Sequence, residues 1–214
     1  MPRYAAAIFD LDGLLLDTER LAIAAGYETL TGLGWPHSEG LFERLVGIDD
    51  ATGSGKIAAH FGADFPLADF RQGWSRLFAD MLDGGIDLRP GALQLLGELG
   101  TAGLPCAIAT SSQRPSALKK LAITGLEGHF ATVVSVDCIA NPKPAPDPYL
   151  EAARRLGMDP AQCIAFEDSD TGAAAAHSAG MTVVQVPDML QTTGPHAHHL
   201  APDLITGARM AGLI

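Results

Sequence analysis

The chain has 214 residues, 47% hydrophobic and 18% charged, with 25 Asp and Glu against 14 Lys and Arg and a formal charge of −11. That length and composition suit a globular chain with a full core and room for an accessory domain. The acidic balance argues against a nucleic-acid partner or an anionic membrane surface, and no apolar stretch reaches the roughly 18 residues of a bilayer crossing.

Met1-Pro2-Arg3 leads directly into an apolar run with no signal-like h-region, so the expected location is cytoplasmic. Cys106, Cys138 and Cys163 are odd in number and far apart, and they read as reduced core thiols. The run Ala5 to Phe9 reads as a buried parallel strand. It ends in Asp10-Leu11-Asp12-Gly13, which delivers two carboxylates to the strand's C-terminal edge before a glycine turn.

From Thr18 to about Asp87 the spacing is helical, as in Leu21, Ala24, Ala25, Leu30 and later Phe70, Trp74, Leu77, Met81, with Trp35 and Trp74 as core residues. This predicts an inserted helical domain over residues 17–88, with Gly53-Ser54-Gly55-Lys56 in one of its loops. A P-loop reading of that stretch fails, because Asp50 stands at the first glycine position and Ile57 follows the lysine.

From Pro90 onward helix and strand alternate. Helices are expected over residues 91–99, 114–123, 147–156 and 171–179, and strands over 104–110, 131–136, 162–166 and 181–186, with a last short strand near Asp203-Leu204-Ile205. The alternation implies right-handed βαβ units in a parallel sheet, so the fold class is α/β, three-layered, with residues 1–16 and 89–214 as its core. His196, His198 and His199 lie in a Pro- and Gly-bounded loop at a spacing that suits no helix face, and read as solvated.

If the strands share one sheet, their C-terminal edges gather Asp10 and Asp12, Thr110-Ser111-Ser112, and Glu167-Asp168-Ser169-Asp170, with Lys143 between two of them. Clustered carboxylates repel unless a cation holds them, and hard oxygen ligands select Mg²⁺. A hydroxyl with backbone N–H groups at a helix start, plus one lysine, forms an anion cradle. The three hydroxyl residues also suit plain N-caps for the next helix. Arg114 reads equally as a contact for a substrate tail and as an exposed residue at a helix start. Carboxylates, Mg²⁺, amides and a lysine are what phosphoryl transfer requires.

These four stretches resemble the four ordered motifs of the haloacid dehalogenase superfamily, in its branch of phosphatases and phosphomutases with a helical cap. Asp10-Leu11-Asp12-Gly13 resembles the first motif, Thr110 the second, Lys143-Pro144 the third and Glu167-Asp168-Ser169 the fourth. The resemblance implies a Rossmann-like core, a small phosphorylated metabolite as substrate and an aspartyl-phosphate route. Asp10 would be the nucleophile and Asp12 the general acid and base. Mg²⁺ would sit on Asp10, the Asp12 carbonyl and Asp168, with Glu167 on the ion or just behind it. Thr110, Ser111 and Lys143 would hold the phosphoryl group, and the cap would close over it. The oligomeric state, monomer or weak dimer, is not legible in the sequence.

Asp12 argues for phosphate esters, since members acting on other bonds lack a carboxylate at that position. Leu14 after the first motif is similar to the branch of sugar-phosphate phosphatases and β-phosphoglucomutase. Mutases of that kind carry a histidine where this chain has Ala22, and an arginine where Gly47 is followed by Ile48, Asp49 and Asp50. Hydrolysis of a sugar phosphate is therefore the leading expectation, with a phosphomutase and a non-catalytic phosphometabolite binder as alternatives.

Overall fold

The structure is a computed structural model that describes residues 3–46, 50–189 and 191–214. In chain order the elements are β1 (Ala6–Phe9), α1 (Thr18–Gly32), α2 (Asp50–Phe61), α3 (Leu67–Asp83), α4 (Ala92–Thr101), β2 (Cys106–Ala109), α5 (Arg114–Thr124), β3 (Thr132–Val134), α6 (Asp147–Leu156), β4 (Cys163–Glu167), α7 (Asp170–Ser178), β5 (Thr182–Gln185), β6 (His199–Leu200) and α8 (Leu204–Met210). The chain divides into two compact units, Met1–Asp17 with Asp87–Ile214, and Thr18–Ile86. Among the described residues no helix is long and apolar enough to cross a membrane.

The discontinuous unit is built on a parallel sheet in the order β3-β2-β1-β4-β5-β6, a Rossmann-like arrangement. Phe9 pairs in register with Ile108 on one side and Phe166 on the other, which brings the C-terminal ends of β1, β2 and β4 to one edge. Side chains alternate across the sheet. Ala6, Ile8, Ala107, Cys163, Ala165 and Val183 face α6 and α7, where Tyr149, Ala152, Ala153, Ala173 and Ala176 complete a buried cluster. The small residues let helix and sheet approach closely. On the opposite face Phe9 stacks on Phe166 at 4.9 Å between ring centroids, and Val184 lies beneath Gly207 of α8.

In the helical unit α1 packs against α3, and Leu30, Leu41, Phe42, Ile57, Phe65 and Phe70 form the core, with Trp35 and Trp74 packed against it. The Trp74 indole donates to Ala22 O at 2.7 Å.

Three local expectations need correction. Gly53 to Lys56 belong to helix α2 and not to a loop: two glycines cost about 1 kcal/mol each in a helix, but Ile57 next to them is fully buried in the unit's core and holds the helix in register. The segment at Asp203 is the start of helix α8 and not a strand. The Asp203 carboxylate accepts the Thr206 amide at 2.8 Å as an N-cap, and the last strand is β6, which contains His199. The stop at Gly100 is also early, since α4 continues through it to Thr101. The stretch Gly47-Ile48-Asp49, used above against a mutase, lies outside the described residues.

Candidate active site

The amide of Asp10 donates to Phe166 O at 3.0 Å, so the residue after β1 is still held by the sheet's hydrogen bonding while its side chain passes the edge. Gly13, at φ 82°, then reverses the chain, a conformation that glycine adopts without a Cβ clash. Its amide donates to Leu16 O at 2.9 Å, which keeps Asp12 at the same edge.

Lys143 lies at the centre. Its Nζ is 2.5 Å from Asp10 Oδ1 and 2.5 Å from Glu167 Oε1, and the side chains of lysine, aspartate and glutamate are 5%, 9% and 0% exposed. Tyr149, fully buried on α6, donates its hydroxyl to the same Glu167 Oε1 at 2.5 Å, and the ammonium stands 5.3 Å from its ring centroid. Ser169 Oγ donates to Glu167 Oε2 at 3.3 Å and accepts the Gly172 amide at 3.1 Å, which caps α7.

Asp10, Glu167 and Asp168 each bring an oxygen within 4.8 Å of the others. One lysine among three carboxylates leaves excess negative charge where solvation is poor, a cost that a hard divalent cation relieves. Burial pushes the Asp10 carboxyl from 3.8 up to about 7; the adjacent Lys143 opposes this and the Glu167 charge reinforces it. Burial works against the Lys143 ammonium, but the charges of Asp10 and Glu167 outweigh it and hold the group above its ordinary range. Burial first, then the Glu167 charge, keeps the Tyr149 phenol protonated. An all-oxygen set with a carboxylate so raised fits Mg²⁺.

The Asp12 carboxylate is held separately. Lys120 Nζ is 2.6 Å from its Oδ1, Ser112 Oγ donates to its Oδ2 at 2.8 Å, and Lys120 also donates to Ser112 Oγ at 3.0 Å. Thr110 is buried and its hydroxyl oxygen accepts the Ser112 amide at 3.0 Å. Ser111 is exposed on the same loop. None of the three caps α5, whose N-cap is Gln113. Arg114 donates its amide to Asp137 and its Nη1 to Val133 O at 3.0 Å, so its guanidinium is tied to β3 and not to the carboxylates.

Among the described residues the histidines belong to no group of three ligands close enough to share an ion. The His177 ring neighbours His196 and His198 at 5.9 and 5.5 Å between centroids, and His198 Nδ1 accepts the Val183 amide at 3.0 Å. Among the described residues only Asp10, Glu167 and Asp168 stand close enough together to share an ion. Sequence reasoning missed Lys120, Tyr149 and Gly172. The last is legible as a glycine where a helix meets a strand end: a Cβ there would lie 1.9 Å from Glu167 Oε1.

The sequence model described as haloacid dehalogenase-like hydrolase matches residues 7–186. Protein CbbY of Rhodobacter capsulatus is 34% identical over 194 residues, 85% of each chain. Fructose-1-phosphate phosphatase YqaB of Escherichia coli is 35% identical over 185 residues, 86% of this chain and 97% of its own. Among solved structures, a putative beta-phosphoglucomutase from Thermotoga maritima superposes with a TM-score of 0.83 at 28% identity, covering 96% of this chain and 98% of that one.

Proposed function

The chain belongs to the haloacid dehalogenase-like hydrolase family, and from that membership we propose that it is a Mg²⁺-dependent phosphatase of phosphorylated sugars or similar small metabolites. The observation that carries this reading is the buried Lys143 ammonium, 2.5 Å from both Asp10 and Glu167, with Asp168 within 4.8 Å. A lysine so placed gives two of its three N–H donors to the carboxylates and keeps one for a phosphoryl oxygen.

Asp10 attacks phosphorus in line, forming an O–P bond as the ester O–P bond breaks. Asp12 gives its proton to the departing alkoxide and becomes a carboxylate. Water then attacks the aspartyl-phosphate, Asp12 takes the water's proton, and phosphate leaves as the Asp10 carboxylate is restored. Thr110, the amide of Ser111 and Lys143 hold the phosphoryl oxygens between the two halves. Mg²⁺ supplies charge neutralisation and orientation. Glu167 already accepts from Lys143, Tyr149 and Ser169, so Asp10, Asp168 and the Asp12 carbonyl would be the groups to hold the ion, with Glu167 behind them.

The sugar-phosphate substrate class is supported by the relative named as a fructose-1-phosphate phosphatase. Phosphate release from a panel of sugar phosphates, nucleotides and p-nitrophenyl phosphate, with Mg²⁺ and with EDTA, tests the reading. Mg²⁺-dependent release is expected, and Asp10→Asn should reduce it by at least about 10³-fold while the melting curve stays in place. The likeness to a putative beta-phosphoglucomutase favours one second reading, intramolecular transfer. Conversion of a hexose 1-phosphate to its 6-phosphate without net phosphate release would establish it in place of hydrolysis.

A further inference from the structure

We propose that Lys120 and Ser112 form a clamp that positions the Asp12 carboxyl for both of its proton transfers. The proposal rests on the reading of Asp12 as general acid and base. Lys120 is 5% exposed although it belongs to a surface helix of the sheet-containing unit. Its ammonium donates to Asp12 Oδ1 at 2.6 Å and Ser112 donates to Oδ2 at 2.8 Å, so each carboxylate oxygen has its own donor. The third side of the triangle, Lys120 to Ser112 at 3.0 Å, ties the two donors to each other.

Such an arrangement fixes the plane of a carboxylate. A carboxylate held at one oxygen can turn about its Cβ–Cγ bond; one held at both, by donors that are themselves joined, cannot. A carboxyl of fixed plane meets the leaving oxygen and the water in one orientation. Ser112 adds a link to the phosphoryl cradle, because its amide donates to Thr110 Oγ1 at 3.0 Å. The clamp therefore joins the residue that moves the proton to the loop assigned to the phosphoryl group. Lys120 is argued to act through Asp12, so it is a positioning residue.

The two half-reactions separate this role from a purely structural one. A nitrophenolate leaves without needing a proton, whereas a sugar alkoxide needs one, and hydrolysis of the aspartyl-phosphate needs the base whatever the substrate was. Positioned general acid–base catalysis contributes about 10²- to 10⁴-fold. Lys120→Met, which keeps the stem and removes the donor, should lower steady-state turnover by about 30-fold or more on both p-nitrophenyl phosphate and a sugar phosphate. Its first turnover of p-nitrophenyl phosphate, followed by stopped-flow release of nitrophenolate with Mg²⁺, should stay within about threefold of the native rate. Ser112→Ala, a smaller lesion, should show the same split with a loss of about threefold to tenfold, and Asp12→Asn should show it in full.

First turnover and steady state falling together would make Lys120 a structural residue and overturn the clamp. Turnover within twofold of native on both substrates would overturn it as well, with the phosphatase reading intact. A native protein that releases no nitrophenol with Mg²⁺ would overturn the reading of the site and the clamp with it.

Discussion

Gly172→Ala changes one hydrogen to a methyl on the first turn of α7, and the structure sets its consequence. The new Cβ would lie 1.9, 2.0 and 2.2 Å from Glu167 Oε1, Cδ and Oε2. Ordinary contact needs about 3.4 Å, so the carboxylate must retreat by more than 1 Å. A free glutamate would do so cheaply, but Glu167 is fully buried, with donors at 2.5 Å from Lys143 and Tyr149. Overpacking costs about 1–3 kcal/mol, and a lost hydrogen bond to a charged group about 1.5–3. The gain in helix propensity from glycine to alanine offsets about 1. The net is a loss of about 1.5–5 kcal/mol, or about 3–20 °C in Tm at this chain length. Thermal unfolding by circular dichroism in EDTA reads the fold, and calorimetric titration with Mg²⁺ reads the displaced carboxylate as weakened binding. Gly97→Ala is the control: its Cβ meets nothing within 4 Å in the exposed side of α4, so it should stabilise by about 0.5–1 kcal/mol. A Gly172→Ala protein that melts within 1 °C of native and binds Mg²⁺ as tightly would refute the reasoning.

Two titrations give further tests. Burial raises Asp10 from 3.8 to about 7, so the metal-free folded protein holds a proton that the unfolded chain releases. That contribution to stability is complete below the unfolded value and is lost as pH rises through about 7. A cation must displace the same proton, so Mg²⁺ affinity should fall by up to about tenfold per pH unit below 7 and level off above it. Calorimetry from about pH 5.5 to 8.5 reads this, and a flat affinity would sink it. At Cys138 the neighbouring Ser135 hydroxyl, aided by Arg155, pulls the thiol down to about 7, whereas burial pushes Cys106 up to about 12 and Cys163 up to about 11. Iodoacetamide near neutral pH should label Cys138 first, with a rate midpoint near pH 7, and Ser135→Ala should move that midpoint upward. Peptide mass spectrometry that finds the three thiols labelled equally would contradict the assignment.

The residues that converge at the sheet edge were legible because the edge itself was. Asp10 and Glu167 each stand where an apolar run gives way to carboxylates, and a parallel sheet carries every such junction to the same side. Lys143 was legible only as part of a motif, since nothing local predicts that a lysine between two prolines will be 5% exposed. The errors were local as well. Gly53 and Gly55 read as loop because propensity counts the glycines and cannot count the burial of Ile57. Leu204-Ile205 read as strand because two apolar residues outweighed the Asp203 and Thr206 capping pair that starts a helix there.

Lys120 was hidden for a different reason, and its own helix contains the signal. On α5 positions 117, 120 and 121 share one face, and Ala117, Lys120 and Leu121 are all buried, while Leu118 and Ile123 are 41% and 37% exposed. The polarity of the helix is inverted at one position: a charge lies inside and apolar side chains lie outside. An amphipathic reading assigns Lys119 and Lys120 alike to solvent, and it is right for the first only. A lysine on the buried face of a helix needs a carboxylate within reach. The helix follows the loop of Thr110 and Ser112, whose strand neighbours β1, so the nearest carboxylates available to that face are those after β1. Asp12 is the one met. The general consequence is that a charged residue in phase with the apolar positions of a helix should be read as a partner for a distant charge, and the sheet topology names the partner.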